Sequence, residues 1–166
     1  MIDVYEFDSG NVGPTVAIFG AIHGNETVGP QVLLPLVDAL KSGKTKLKSG
    51  RLIVVPVCNP QAYEKNVRYI DINLNRLFGA QSGDGAYEFR LAQELMPLIA
   101  KSDYLLDIHS THTSGDPAFV FAEEGFEGSL PFAKSLGVDK ICLDWNVVFQ
   151  DEDFSTEAFA LKNGRL

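Results

Sequence analysis

The chain has 166 residues, 45% hydrophobic and 22% charged, a balance that fits one soluble globular domain with a substantial core and not a disordered or fibrous chain. Its 14 basic residues against 22 acidic ones leave a net charge of −8. With no basic cluster beyond Lys41 to Lys48, that charge argues against nucleic acid or an anionic membrane as a partner. No apolar run approaches the ~18 residues of a membrane span, and Met1-Ile-Asp-Val-Tyr-Glu6 lacks the basic-then-apolar pattern of a secretory signal, so a cytoplasmic protein is expected. Cys58 and Cys142 have no metal-type spacing and lie in apolar runs, where free thiols pack; neither a disulfide nor a thiolate ligand is expected.

The first strongly apolar run, Thr15-Val-Ala-Ile-Phe19, reads as a short buried strand. It leads directly into Gly20-Ala-Ile-His23-Gly-Asn-Glu26, which sets an imidazole and a carboxylate three residues apart. That is a metal-ligand spacing, although His-x-x-Glu also arises by chance and a lone His is more often a surface or core residue. Gly20 and Gly24 suit a turn that needs unusual backbone angles or a close approach. Val28, Val32, Leu33, Leu36, Val37 and Leu40 then recur at helical spacing, with Pro30 pointing to an early start and Pro35 to a kink. The lysine-rich stretch that follows reads as a solvated loop.

A second strand is expected over 51–57, and after it comes a polar stretch, Asn59 to Phe78, holding Arg68, Asn75 and Arg76. A guanidinium carries a fixed charge and a donor fork that matches a carboxylate, and Asn adds neutral donors beside it. These residues suit a small anionic substrate, and an Arg also stabilises charge developing on a carbonyl oxygen under attack. Pairing of the same arginines with surface carboxylates is an equal alternative at this point.

Residues 86–101 give the cleanest helix, with Tyr87, Leu91, Leu95 and Leu98 in one stripe, Asp84 as N-cap and Lys101 near the C-terminal end. A third strand at 103–108 stops at His109-Ser110, so a second imidazole leaves the sheet at a strand end. Two His and one Glu match a catalytic zinc set, three protein ligands with a fourth position left open. His112 is read as a nonligand, because an i to i+3 offset along a continuing strand would point it away from His109. Further strands are expected at 118–122 and 138–143 and helices at 129–136 and 153–162. Trp145 and Phe149 suit either a pocket or the core. Lys162-Asn163-Gly164 is a helix C-cap signal, with Arg165-Leu166 placed to begin another strand.

Strands alternating with helices predict a single α/β domain, a three-layer sandwich with a mostly parallel or mixed sheet. Sites in such sheets lie at the carboxyl ends of strands, where His23 and His109 both fall.

Three motifs, Gly20-Ala-Ile-His-Gly-Asn-Glu26, Arg68 with Asn73-Leu-Asn-Arg-Leu-Phe78, and Asp107-Ile-His-Ser110, make the chain resemble the succinylglutamate desuccinylase and aspartoacylase family, relatives of zinc carboxypeptidases. The resemblance implies one zinc held by His23, Glu26 and His109. It gives Arg68 the task of polarising the scissile carbonyl, and Asn75 and Arg76 that of gripping the substrate carboxylate. The implied reaction is hydrolysis of the amide bond of a small N-acyl amino acid, or a related amide or ester. A metallocarboxypeptidase, a peptidoglycan-peptide amidase and a noncatalytic metal- and anion-binding module are the alternatives, and homo-oligomerisation is open.

The sequence departs from the family pattern twice. Asn73 stands where Asp is usual and is expected to orient a zinc-bound imidazole; a neutral amide oxygen accepts the same bond but leaves the imidazole less basic. The family's general base is a Glu in a Glu-x-Gly-like segment on a strand beyond the last helix, and no such segment follows here. A member lacking C-terminal elements, with metal binding retained and little turnover, is the expectation.

Overall fold

The computed structural model describes residues 1–82, 85–111, 115–123, 125–143 and 154–165. The chain forms two compact units, Met1–Ser110 with Phe154–Arg165, and Thr111–Asp153. Asp84, His112, Glu124, Trp145, Phe149, Glu152 and Leu166 lie outside the described residues. The roles considered above for Asp84, His112, Trp145, Phe149 and Leu166 therefore rest on sequence.

The first unit is built on four strands, β1 (Tyr5–Asp8), β2 (Thr15–Gly20), β3 (Arg51–Val55) and β4 (Tyr104–Ile108), in the order β1-β3-β2-β4. β2 runs parallel to both β3 and β4, and β1 closes the edge antiparallel to β3. The sheet is thus mixed. β1 has no counterpart in the sequence expectation. Its signal is the alternation of Tyr5 and Phe7 with Glu6 and Asp8, the period of a half-buried edge strand.

Because side chains alternate along a strand, each central strand feeds two cores. Val16, Ile18, Leu52 and Val54 face Leu33 and Val37 of α1 (Val28–Lys41). Ala17, Phe19, Ile53 and Val55 face Leu91, Leu95 and Ile99 of α3 (Tyr87–Ala100), with Phe159 and Ala160 of α5 (Thr156–Lys162). Helix, sheet and helices make the three layers of an α/β sandwich. Phe19, Val54 and Val55 are wholly buried, and each such side chain contributes about 1.5–3 kcal/mol.

Both helical stripes are narrower or rotated relative to the sequence pattern. In α1 the buried row is Gly29, Leu33 and Val37, while Val28 and Val32 on the adjacent ridge are exposed. Gly29 sets this choice: a Cβ built on it would stand 2.8 Å from the Cα of Gly20, so the helix approaches the end of β2 at a glycine-glycine contact. Pro30 falls in the first turn, where the missing N–H has no intrahelical partner to lose. In α3 Ala92, Leu95 and Ile99 are fully buried, with Leu98 only partly buried, and the stripe begins at a fully buried carboxylate, Glu88. Ala86 precedes the first turn without a side-chain cap, and Lys101 sits at the C-cap. The long polar stretch is more ordered than a loop. Asn59 caps α2 (Pro60–Glu64) through Ala62 N, with Pro60 at its start, and Leu74–Arg76 forms a 3-10 turn.

The second unit contains a parallel pair, β5 (Val120–Ala122) and β6 (Ile141–Leu143), with α4 (Ser129–Ser135) between them in sequence. Ser129 Oγ accepts from Glu123 N at 3.0 Å at the start of that helix. Cys142, expected to pack, is exposed, since a two-stranded sheet has little interior to offer. Among the described residues no helix is long and apolar enough to cross a membrane.

Candidate metal centre

Parallel pairing of β2 with β4 sets Gly20 opposite Ile108, so the chains leaving both strands emerge side by side at the carboxyl edge. Segment 20–26 makes a tight excursion there. Gly20 and Gly24 have no positive φ; both are close-approach glycines. A Cβ on Gly20 would meet Pro56 O at 2.8 Å, and one on Gly24 would meet the Ala62 carbonyl carbon at 2.1 Å. The left-handed residue is Ala21 (φ 48), where a side chain carries strain, next to the ligand turn. Cys58 N and Asn59 N donate to Gly20 O and Ala21 O, and Gly24 N donates to Arg68 O, tying this excursion to the segments after β3.

His23, Glu26 and His109 converge, with one donor atom from each within 4.8 Å of the others. His23 Nδ1 lies 2.9 Å from Glu26 Oε1, His109 Nδ1 lies 2.9 Å from Glu26 Oε2, and the two Nδ1 atoms are 3.3 Å apart. Donors at ~2.0–2.1 Å from one tetrahedral ion stand ~3.3 Å apart, so the three atoms are spaced to share a cation. The far side of each ring is held. His23 Nε2 is 3.0 Å from Asn73 Oδ1, and that oxygen also accepts from Asn75 N at 3.0 Å. The second bond fixes the amide oxygen as an acceptor, which places the proton of His23 on Nε2 and turns the Nδ1 lone pair toward the centre. His109 Nε2 lies 3.0 Å from Asp107 Oδ2. This donor set, its tautomers fixed from behind, fits zinc.

Electrostatics around the carboxylate are strong. Burial opposes the charge on Glu26, but the hydrogen bond and charge of His109, with help from Ser110 N, hold its carboxyl far below the ordinary range. Burial likewise opposes charge on His109, yet Asp107 and Glu26 together push its pKa up to about 10. Without a metal, His109 is therefore protonated and donates from both ring nitrogens. Arg68 Nη1 adds a 2.9 Å bond to Glu26 Oε1 while its side chain stays 45% exposed. Asn73 takes the place expected of it behind an imidazole, and that ring is His23.

Asn75 and Arg76 sit on the 3-10 turn beside this cluster. Asn75 Oδ1 accepts from Thr156 N at 2.9 Å, and Arg76 Nη1 donates to Asn75 O at 2.6 Å with the side chain exposed. The geometry brings the three metal-ligand candidates and Arg68 together. Among the described residues, Arg76 makes its side-chain bond to Asn75 O and none to that cluster.

Sequence reasoning missed Glu88. Its buried carboxylate accepts from Ile70 N (2.6 Å), Asp71 N (3.1 Å) and Ile72 N (3.2 Å), and from Asn59 Nδ2 (3.2 Å). It thereby clamps the loop between Arg68 and Asn73. The available signal was a Glu at positions i−3, i−4 and i−7 from Leu91, Ala92 and Leu95, on an otherwise apolar stripe. Thr156 was missed as well, reaching Asp107 Oδ2 at 2.6 Å.

The model of the succinylglutamate desuccinylase/aspartoacylase catalytic domain matches residues 12–128. The chain is 36% identical over 108 residues to aspartoacylase of Rattus norvegicus, an alignment that covers 58% of this chain and 34% of that protein. It is 42% identical over 67 residues to succinylglutamate desuccinylase of Yersinia pestis, covering 40% of this chain and 20% of that one. The solved structure of a succinylglutamate desuccinylase/aspartoacylase from Rhodobacter sphaeroides superposes with a TM-score of 0.75 at 20% identity, over 99% of this chain and 48% of that one, and supports the fold. The chain thus spans about a third of the aspartoacylase and about half of the solved structure.

Proposed function

Since this chain belongs to the succinylglutamate desuccinylase/aspartoacylase family, we propose that it is a zinc-dependent deacylase acting on the amide bond of a small N-acyl amino acid or a related amide or ester. The observation that carries the reading is the convergence of His23 Nδ1, Glu26 and His109 Nδ1, with both Nε2 atoms held from behind. Zinc, when bound, supplies Lewis-acid chemistry that makes water nucleophilic near neutral pH and polarises a carbonyl. The chain's own residues do the rest. Arg68 has five N–H donors and spends one on Glu26; the others are available to a carbonyl oxygen gaining charge. Asn75 and Arg76 supply an amide and a guanidinium for the substrate carboxylate. Against a net charge of −8, the guanidinium groups of Arg68 and Arg76 are the local attraction for a small anion, and nucleic acid is an unsuitable partner. Free thiols at Cys58 and Cys142 suit the reducing cytoplasm as its setting.

Low turnover is part of the proposal. Both oxygens of Glu26 are bonded within the cluster, and Asp107 Oδ2 is bonded to His109 and Thr156. Neither carboxylate is placed to take a proton from water and pass it to a leaving amine.

The test is elemental analysis of the purified protein, followed by amine release from a panel of N-acyl amino acids and peptides with and without a chelator. About one zinc per chain and slow, chelator-sensitive cleavage of N-acyl amino acids are expected. Preferential release of C-terminal residues from peptides would mean a carboxypeptidase. Zinc and ligand binding with no cleavage at all would leave a noncatalytic module, and absence of zinc after zinc is supplied would overturn the reading.

A further inference from the structure

Helix α5 supplies no metal ligand, yet its first residue meets two groups of the site at once. Ser155, the N-cap, is extended (φ −73, ψ 164) and accepts from Ala158 N. Thr156 N is one of the helix-start N–H groups with no partner inside the helix, and it is directed onto Asn75 Oδ1 at 2.9 Å. The Thr156 hydroxyl lies 2.6 Å from Asp107 Oδ2 and 3.3 Å from Asn75 Oδ1. A hydroxyl has one proton, so the shorter contact is the donor bond. Thr156 is 2% exposed, and water competes little for either bond.

Each bond has a consequence for the site. A backbone N–H can only donate, so the oxygen of Asn75 must face α5 and its NH2 must face away. Asn75 is thereby preset as a donor, able to recognise an anionic or carbonyl oxygen but not another donor. Asp107 Oδ2 receives both His109 Nε2 and the Thr156 hydroxyl, whereas Asp107 Oδ1 is buried with no partner among the described residues. The hydroxyl is therefore what fixes the carboxylate that orients His109.

We propose that Thr156 is a positioning residue for both halves of the centre: its hydroxyl holds the Asp107–His109 pair for the metal, and its backbone N–H holds the Asn75 amide for the substrate anion. The proposal rests on the metal-dependent deacylase reading.

The position allows the hydroxyl to be removed alone or together with the N–H. Thr156 occupies the first helical position, where proline is favoured, and Ser155 already has the extended backbone that a residue before proline adopts. Thr156→Pro removes both donors while suiting the helix start, Thr156→Val removes only the hydroxyl, and Thr156→Ser keeps both. Zinc affinity is read by chelator competition, binding of N-acetyl-L-aspartate to the zinc-saturated 166-residue chain by calorimetry, and the fold by thermal unfolding.

Thr156→Ser should match the wild type on both affinities. Thr156→Val should weaken zinc about three- to tenfold, less than the roughly 10- to 100-fold typical of a direct partner of a ligand, and leave N-acetyl-L-aspartate binding unchanged. Thr156→Pro should weaken both, the anion by about tenfold, the scale of one lost hydrogen bond. Val and Pro variants that bind both as the wild type does would overturn the inference alone. So would parallel losses in the two that merely follow a lower melting temperature. If the Pro chain fails to fold, the Val and Ser pair decides the hydroxyl half. A wild-type chain that binds neither zinc nor N-acetyl-L-aspartate would overturn the deacylase reading, and this inference with it.

Discussion

His23 and His109 point at the same spot from neighbouring strands, and they are held there by different physics. His23 is 3% exposed, sits in a turn packed through Gly24 onto the backbone of α2, and gives its Nε2 proton to a neutral amide, Asn73. His109 has 36% of its side chain exposed and gives its Nε2 proton to a carboxylate, Asp107. One imidazole is placed by packing, the other by charge. A buried ring in a tight turn keeps its orientation without help from an ion pair. A half-exposed ring at a strand end needs the stronger, charge-assisted bond to stay put.

The largest effects should come from removing either ring. His23→Ala and His109→Ala each leave two protein ligands, and zinc content by elemental analysis should fall from about one per chain to near zero. The two variants should differ in the metal-free state. His23→Ala opens a cavity in a packed turn and should lower stability by roughly 1–3 kcal/mol. His109→Ala opens less space but takes the charged partner from Glu26 and Asp107, so its cost should fade as pH climbs through about 10, and denaturant unfolding of the two metal-free proteins as a function of pH distinguishes them.

Exchanging the supports sharpens the contrast. Asp107→Asn takes the charge from behind His109 and should weaken zinc by roughly 10- to 100-fold, the usual cost of disturbing a ligand's partner. Asn73→Asp adds a charge behind His23 and should tighten zinc by about tenfold or less, since that ring is already fixed by burial. Chelator competition measures both. Equal and opposite changes would mean that packing contributes nothing to the placement of His23.

The contrast also explains what was legible in the sequence. Strands β2, β3 and β4 and helix α3 are dense apolar runs with a clear period, so they and the layer order were readable. The convergence of His23, Glu26 and His109 was readable because His23-x-x-Glu26 and His109 follow strand-like runs. β1 was hidden because a four-residue edge strand with two charges has little apolar density. Glu88 and Thr156 were hidden for another reason. Glu88 acts on residues 16 to 29 positions away in sequence and Thr156 on residues 49 and 81 positions away, and no local spacing records a partner brought close by tertiary packing. Asn73 was read from its departure from the family pattern, but which imidazole it supports required the fold.

The effect most specific to the charged side is the pH dependence. In the metal-free protein His109 is raised from 6.5 to about 10, so its contribution to stability is complete below pH 6.5 and is lost as pH climbs through about 10. Glu26 is lowered from 4.5, so its contribution is present above pH 4.5 and is lost as pH falls below it. The metal-free protein should therefore be most stable between these limits. Zinc affinity should run the other way on the basic side. Zinc must displace the Nδ1 proton of His109, so apparent affinity should rise by about tenfold per pH unit from pH 7 upward until that proton is gone. Calorimetric titration in two buffers of different ionisation enthalpy should register about one proton released per zinc near neutral pH. Asp107→Asn should flatten the slope by lowering the proton's hold on His109, whereas Asn73→Asp should leave that slope intact because it acts on the other ring. A slope of the same steepness in Asp107→Asn would mean that Glu26 alone sustains the charge on His109, and that the two imidazoles differ in packing only.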